Sequence, residues 1–139
     1  MKAMLLIPLW LLITGLFEDR WQPRNGQARV IIYRQREFGS THYDITINDR
    51  KQGALPTNRY IQVDISPGRI KIESKKDYFS DNQTLWLNAQ AGHTYYVKAV
   101  EEVDFLSRTL LIAPISEEQA QRELQKIKPI AGSSSATTN

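Results

Sequence analysis

Short segments of alternating hydrophobic and polar residues, separated by turn-forming residues, are the feature that most constrains how this chain can fold. HYDITIND (His42 to Asp49) is typical, because Tyr43, Ile45 and Ile47 alternate with polar residues. A period of two places alternate side chains on one face of a β-strand, so the pattern predicts strands with one buried face. About seven or eight such segments at regular spacing predict an all-β domain, which we expect to be a small β-sandwich of antiparallel strands.

The predicted strands follow one another with short connections. They cover residues 28–34, 42–49, 54–55, 59–65, 69–75, 84–89, 94–100 and 109–114. The polar stretch Asp49 to Gly53 predicts the turn of a hairpin, and Ser66-Pro67-Gly68 predicts a tight corner.

A short helix is expected after the last strand. Ser116 and Gln119 have the spacing of a capping box, and apolar residues then recur on one helical face. These apolar residues are Ala120, Leu124 and Ile127. We therefore expect a helix from Ser116 to Lys128 that covers one open end or edge of the sheets. The small, polar residues 129–139 predict a disordered tail.

The N-terminal residues are of a different kind. Ala3 to Phe17 is an apolar run without a charge, preceded by Lys2, which is typical of a signal peptide or a signal-anchor helix. The run is short for a regular transmembrane helix, and Pro8 lies within it. The chain thus divides into a hydrophobic helix (1–17), a linker (18–27), a domain (28–128) and the tail (129–139). The segment predicts a location in the bacterial cell envelope, membrane-anchored or periplasmic.

The end of the hydrophobic segment has two unusual details. Ile13-Thr14-Gly15 resembles the end of a lipoprotein signal, after which a lipid-bearing cysteine is expected, but Leu16 occupies that place and cannot accept a lipid. Arg20, Arg24 and Arg29 put more positive charge after the segment than before it, which opposes the usual orientation of an exported domain. The side of the membrane and the means of attachment stay open.

The composition excludes several classes of function. Without cysteine the chain has no disulfide, no thiolate zinc site and no cysteine nucleophile, and the lack of disulfides in a small exported domain favours a bacterial source. A formal charge of +3, with basic and acidic residues interleaved, predicts no nucleic-acid partner. The chain also lacks the nucleotide-binding and hydrolase motifs. We expect no cofactor, no metal and no catalytic residue.

The candidate metal ligands do not form a recognised motif. The two histidines, His42 and His93, are far apart in the sequence and would need a third ligand. Asp77, Asp81 and Asn82 supply oxygen atoms, but their spacing does not match a calcium-binding loop. We interpret the histidines as exposed strand ends and the acidic loop as an ordinary turn.

Three acidic residues could in principle supply a glycosidase pair of carboxylates. Glu101, Glu102 and Asp104 lie close together after a predicted strand. Such chemistry needs burial that separates the pKa values of the acid and the base. A mobile acidic loop rarely provides this burial, so we expect a protein that is not an enzyme.

Four aromatic residues are the better candidates for a functional surface. Tyr33, Tyr60, Trp86 and Tyr96 fall on strand faces opposite, or partly opposite, the aliphatic side chains. Such a face could stack on sugars or receive another protein. The alternative, which has somewhat more weight because aromatic residues are common in strands, is that the helix or linker buries some of them.

The order of these motifs resembles a family of bacterial proteins assigned as lipoproteins and known as domain of unknown function 2846. The resemblance covers about 28–128 and rests on ARVIIYR, HYDITIND, RYIQVDISPGRIKI, AGHTYYVK and TLLIAP. Its most specific residues are Tyr60, Asp64, Pro67 and Gly68, and then Ala91, Gly92, Thr94, Tyr95 and Tyr96. The resemblance implies export to the envelope and a β-sandwich-like domain, with no catalytic residues to carry over.

Two functions follow as hypotheses. The first is a non-enzymatic envelope accessory protein, anchored in the membrane through residues 1–17 if these are retained, whose β-domain contacts a protein partner in a membrane-associated complex. The alternative is a periplasmic module that binds carbohydrate or peptidoglycan, with Tyr60, Trp86 and Tyr96 as stacking platforms. No small-molecule ligand is identified by the sequence.

Overall fold

The structure, a computed structural model, describes residues 23–39, 41–76, 82–130 and 136–138. The longer strands are β1 (Ala28–Arg34), β2 (Tyr43–Ile47), β3 (Arg50–Leu55), β4 (Arg59–Ile65), β5 (Gly68–Lys75), β6 (Gln83–Ala89), β7 (Thr94–Val103) and β8 (Arg108–Ile115). Helix α1 (Glu117–Leu124) follows, and then the short strands β9 (Lys128–Pro129) and β10 (Ala136–Thr138). Within these described ranges the fold is therefore mostly β, with two sheets and one short helix, which is consistent with a β-sandwich.

The strands form a six-stranded and a four-stranded sheet. In the first, the order is β10-β4-β1-β7-β8. Strand β9 also pairs with β4, at the end of β4 that β10 leaves open. In the second, the order is β3-β2-β5-β6, and all pairs are antiparallel. The prediction of antiparallel strands fails in the first sheet, where β7 is parallel to β1 and both β9 and β10 are parallel to β4. These partners are distant in sequence, and parallel pairing arises when the chain crosses over before it returns.

The main core lies between the two sheets. Alternate residues of β1, including Val30 and Ile32, face Ile45 and Ile47 of β2 and Ile70 and Ile72 of β5 in one buried cluster. The predicted alternation of hydrophobic residues therefore has the expected physical basis, since one face of each strand packs on the opposite sheet.

A second, smaller core lies on the outer face of the six-stranded sheet. There α1 presents Ala120 and Leu124, followed by Ile127, to side chains of β1 and β7. As a result β1 is buried on both faces along its whole length. The helix begins as predicted, because the Ser116 hydroxyl accepts the backbone N–H of Gln119 at 3.3 Å, but it ends at Leu124, earlier than expected.

Two local predictions need correction. The first hairpin turns at Asn48 and Asp49, both with positive φ, and the predicted turn residues up to Gly53 lie instead in β3. At the C-terminal end, Lys128 lies in β9 where the end of the helix was expected, and Pro129 and β10 pair with β4 where a tail without regular structure was expected.

In the part of the chain that the structure describes, no helix is long and apolar enough to cross a membrane. The predicted hydrophobic helix of residues 1–17 lies outside the described residues.

Candidate interaction surface

The four aromatic residues predicted to form an interaction surface do not share an exposed face. Tyr33 and Tyr96 are buried beneath α1, with 0% and 4% of their surfaces exposed, and Tyr60 packs against the same cluster. Trp86 lies on β6 in the other sheet and is half exposed. The hypothesis of one aromatic surface is therefore corrected, because α1 covers the outer sheet face that carries Tyr33 and Tyr96.

The polar contacts beneath α1 converge on one carboxylate. Glu123 accepts hydrogen bonds from Tyr33, Lys98 and Gln119 at 3.1, 2.8 and 2.9 Å. Burial disfavours the charged carboxylate, but these hydrogen bonds and the Lys98 ammonium together hold the pKa of Glu123 below its ordinary value. Burial first, and then the hydrogen bond to Glu123, raises the pKa of the Tyr33 hydroxyl. This cluster attaches the helix to the sheet.

Trp86 is the one member of the predicted set that is open to solvent. The guanidinium of Arg69 lies 4.3 Å from the centroid of its ring, in the geometry of a cation–π contact. A sugar that stacked on the same ring face would have to displace Arg69. Trp86 also lies in a different sheet from Tyr60 and Tyr96, so the three rings do not form one stacking platform.

A buried polar cluster closes one end of the main core. Arg34, the last residue of β1, is 1% exposed, and its guanidinium donates to the backbone carbonyls of Thr41 and Leu55 at 2.7 and 3.0 Å. A carboxylate oxygen of Glu37 lies 3.4 Å from the same guanidinium. Because a buried cation is stable only with such partners, Arg34 holds the loop between β1 and β2 against the end of the core.

Tyr43 and Glu101 complete this buried cluster. The Tyr43 hydroxyl donates to Glu101 at 2.6 Å, and Arg108 lies 3.6 Å from the same carboxylate. Burial first, and then the hydrogen bond to Glu101, raises the pKa of Tyr43 above its ordinary value. The Glu101 side chain is only 4% exposed, and the residue belongs to β7, so the expectation that it lies in a mobile acidic loop is corrected.

The other acidic residues of this region do not join Glu101. Glu102, the next residue of β7, is exposed, and Asp104 is exposed in the following turn. Successive strand residues point to opposite faces, which separates the carboxylates of Glu101 and Glu102. The described residues therefore do not bring these acids together as a catalytic pair.

The buried cluster brings the β1–β2 loop next to the hairpin formed by β7 and β8. The backbone N–H of Glu101 donates to Glu37 at 3.0 Å, and Arg108 donates to the Thr41 hydroxyl at 3.2 Å. Since β7 is parallel to β1 and three residues longer, its hairpin extends past the end of β1. The loop and the hairpin tip therefore lie at the same end of the domain.

This end carries exposed hydrophobic side chains. Phe38 in the β1–β2 loop is fully exposed, and Phe105 and Leu106 at the hairpin tip are 94% and 90% exposed, next to the largely exposed Val103. We call these four residues the apolar end. In the described part of the chain, the other exposed large hydrophobic residues are Val100, Leu111 and Trp86.

Val100 and Leu111 form a second exposed apolar pair on the same hairpin, on the strand face opposite to that of Val103. They are directly opposite each other in the pairing of β7 with β8, and both are exposed. Large apolar side chains grouped in this way on a monomer mark a contact site more often than scattered ones do.

The candidate metal ligands remain separate. His42 and His93 are exposed, and within the described ranges no group of three or more His, Cys, Asp or Glu residues could hold a metal ion. Asn82 is described, whereas Asp77 and Asp81 lie outside the described residues.

The most specific residues of the sequence motifs have structural roles. Asp64 accepts two hydrogen bonds from Arg29, at 2.7 and 3.0 Å, and both side chains are buried. Gly92 has a φ of +80°, and its N–H donates to the Gln27 carbonyl at 2.8 Å. The Tyr95 hydroxyl accepts the N–H of Gln90 at 2.8 Å. These residues fix strand pairs and turns.

Sequence patterns missed both the buried cluster and the apolar end. One signal was present. Val30, Ile32 and Arg34 are alternate residues of β1, so the charged side chain of Arg34 is on the strand face that points into the core. Phe38, Phe105 and Leu106 stand in connections, where periodicity carries no information about burial.

The chain matches a model of a protein family. A family model described as "Protein of unknown function (DUF2846)" matches residues 24–107. Neither the curated proteins nor the solved structures contain a match to the chain. The matched range includes the buried cluster up to Glu101 and all four residues of the apolar end, but it stops before β8.

Proposed function

The chain belongs to the family described as "Protein of unknown function (DUF2846)", and on that premise we propose that it is a non-enzymatic accessory protein of the bacterial cell envelope. Its β-domain binds a protein partner in a membrane-associated complex through the apolar end. The observation that carries this proposal is the grouping of Phe38, Val103, Phe105 and Leu106 in solvent at one end of the domain.

In the isolated protein the side chains of the apolar end are in contact with water. Each large apolar side chain stabilises a complex by about 1.5–3 kcal/mol when it moves from water into a fully buried site. In the free domain this contribution is unused, because Phe38, Phe105 and Leu106 are almost entirely exposed. Two aromatic or aliphatic anchors at the centre of a contact are typical of protein interfaces.

The point at which the N-terminal segment joins the domain predicts which way the apolar end faces relative to the membrane. We propose that residues 1–17 form a hydrophobic helix that acts as a signal peptide or as a retained membrane anchor. The linker enters the domain at the start of β1, and Arg29 there pairs with Thr94 at the start of β7. The ten residues of β7 span about 30 Å at about 3.3 Å per residue. A retained anchor would therefore leave the apolar end facing away from the membrane that holds the chain.

A protein partner has more support than a lipid surface at this end. Glu102 and Asp104 are exposed on either side of Val103, and they would repel an anionic membrane. The carbohydrate alternative has less support, because Trp86 is the one predicted platform residue that is open, and Arg69 covers one face of its ring.

Site-specific photo-cross-linking in the native membrane tests the proposal. A photoreactive phenylalanine analogue replaces Phe38 or Phe105 in the full chain, and a matched probe replaces Lys51 on β3 of the other sheet. We expect the first two positions to cross-link to the same protein and position 51 to give no such product. The intact mass of the recovered chain shows whether residues 1–15 are retained.

A pair of variants gives the control. Phe105→Ser with Leu106→Ser should abolish co-purification of the cross-linked protein, whereas Trp86→Ser should leave it unchanged. Products that contain only lipid or glycan at positions 38 and 105, or equal losses in both variants, would contradict the proposal. Saturable quenching of tryptophan emission by a glycan, lost in Trp86→Ser, would favour the carbohydrate alternative.

A further inference from the structure

A groove with a positive lining lies between α1 and the ends of β1 and β4. Its volume is about 650 Å³. Arg36, just after β1, faces it from the sheet, and Arg122 and Lys126 face it from the helix and the turn that follows. We name these three residues the cationic groove. We propose that the cationic groove binds a phosphoryl anion, presented either by a soluble phosphoester or by a phospholipid headgroup.

The charges of the groove are not balanced within the protein. Glu123 also lines it, but its carboxylate already accepts hydrogen bonds from Tyr33, Lys98 and Gln119. In the described part of the chain, no carboxylate lies within ion-pair distance of Arg36, Arg122 or Lys126.

Other cations of the domain are placed differently. Arg29, Arg34, Lys71, Lys98 and Arg108 all pair with carboxylates of the same chain. Arg36, Arg122 and Lys126 differ from these five in having no such ion pair among the described residues, and they line a single concave site. Concave placement matters, because a cleft with one sign of charge concentrates the opposite ion.

The types of side chain favour a phosphoryl group over a single carboxylate. A guanidinium donates two parallel hydrogen bonds to a pair of oxygens, and an ammonium adds a point charge. Two guanidiniums and one ammonium can engage a group with three terminal oxygens, whereas one carboxylate offers only two oxygens. Asn58 adds an amide to the lining, and Ile127 adds an apolar wall against which the organic part of a phosphoester could rest.

The site shares the β1–β2 loop with the proposed protein contact, because Arg36 lies two residues before Phe38, but the other residues of the two regions lie on different elements. The apolar end lies on the β1–β2 loop and the β7–β8 hairpin, whereas two of the three groove cations belong to the helical segment. The inference therefore goes beyond the proposed function, and either can fail while the other holds.

Calorimetric titration of the full chain in neutral detergent with inorganic pyrophosphate tests the inference. The test variant is Arg36→Gln with Arg122→Gln. The control is Arg50→Gln with Lys51→Gln, which removes the same charge from the exposed β3 of the other sheet. Because the two guanidiniums supply charge-assisted hydrogen bonds that the amides replacing them supply only weakly, we expect the test variant to weaken binding about tenfold or more. We expect the control to weaken it by less than about twofold.

Equal weakening in the two variants would show unspecific attraction between charges and would overturn the inference. So would the lack of saturable pyrophosphate binding by the unmodified chain. Thermal unfolding followed by circular dichroism confirms that both variants are folded, which is expected because all four residues are exposed.

A second pair of titrants distinguishes the two sources of the anion. Glycerol phosphate and a short-chain phosphatidic acid both carry a phosphomonoester with three terminal oxygens, but only the second has acyl chains. Tighter binding of the lipid, lost in the test variant, identifies a headgroup site. Equal binding of both, also lost in the test variant, identifies a soluble phosphoester. Binding of either titrant that persists in the test variant contradicts the inference.

Discussion

At the scale of single residues, Arg34 is important because its side chain contacts several separate parts of the fold. It is a fully buried cation at the end of a strand, and it joins the β1–β2 loop to both sheets through Thr41 and Leu55. Its ring contact with Tyr43, at 5.4 Å from the centroid, adds a further attachment to β2. The position of Phe38 in the apolar end depends on this loop, so the buried cluster indirectly presents the contact site.

Replacement of Arg34 by methionine should destabilise the protein strongly. The change leaves Glu37 without its cation and two backbone carbonyls without a donor, and removal of one partner from a buried ion pair costs about 3–5 kcal/mol. Urea unfolding measures the loss. Arg36→Met, two residues along and exposed, is the control and should change stability by less than about 0.5 kcal/mol. A similar stability in the two variants would mean that the buried cluster contributes nothing.

Glu123 predicts a specific dependence of stability on pH. Its pKa is lowered in the folded protein, despite burial, because Lys98, Gln119 and Tyr33 donate to it. The resulting stabilisation is fully present above the ordinary carboxyl pKa and is lost as the pH falls through the lower folded-state value. The difference in unfolding free energy between the protein and Glu123→Gln should therefore shrink only in that acidic range. Glu118→Gln, an exposed acid on α1, is the control and should show a difference that is much smaller at every pH.

At the scale of elements, the first hairpin shows how a local conformation sets the register of a strand pair. Asn48 and Asp49 both have positive φ, at 49° and 67°, as a two-residue turn of type I′ requires. The Asn48 side chain also accepts the backbone N–H of Lys71 at 2.9 Å, which connects the turn to β5. A residue type that tolerates positive φ is thus needed at two consecutive positions.

Two substitutions in this turn should have opposite outcomes. Asn48→Ala loses both the tolerance for positive φ and the hydrogen bond to β5, and we expect a loss of about 1–2 kcal/mol. Asp49→Gly should be neutral or stabilising, because glycine adopts this conformation without strain and the ion pair with Lys71 is exposed on the Asp49 side. Thermal unfolding measures both. A stable Asn48→Ala protein would contradict the assignment of the turn.

At the scale of the whole molecule, the two candidate contact regions differ in chemistry and in what they require from the fold. The apolar end depends on the adjacency of a loop and a hairpin that are far apart in sequence. The cationic groove depends on the packing of α1 across the six-stranded sheet. A change in either region alone should leave the main core between the sheets intact.

The apolar end should affect association of the isolated protein without affecting its stability. Phe105→Ser with Leu106→Ser removes side chains that are almost fully exposed, so the unfolding free energy should change by less than about 1 kcal/mol. Sedimentation velocity should show less self-association than in the unmodified chain, because an exposed apolar patch is removed. Leu124→Ala, in the smaller core, is the contrasting change and should cost about 2–5 kcal/mol. A marked loss of stability in the first variant would mean that the tip packs against the domain.

Much of the secondary structure was predictable because it depends on local patterns. The alternation in Tyr43, Ile45 and Ile47 marked β2, and the capping pair of Ser116 and Gln119 marked the start of α1. Membership of the family, too, followed from the order of such motifs. These signals depend on a few neighbouring residues, so they can be recognised without knowledge of the rest of the chain.

By itself, therefore, the sequence determined a mostly β domain, the places of its strands and the start of its helix. Only the tertiary structure decided the parallel pairing of β1 with β7, the burial of Tyr33 and Tyr96 beneath α1, and the enclosure of Arg34. It also decided that the loop carrying Phe38 and the hairpin carrying Phe105 lie at the same end of the domain, with both side chains in solvent. The physical reason is that burial and adjacency depend on which distant segments pack against each residue, and a period of two is the same whether one face of a strand is covered or both.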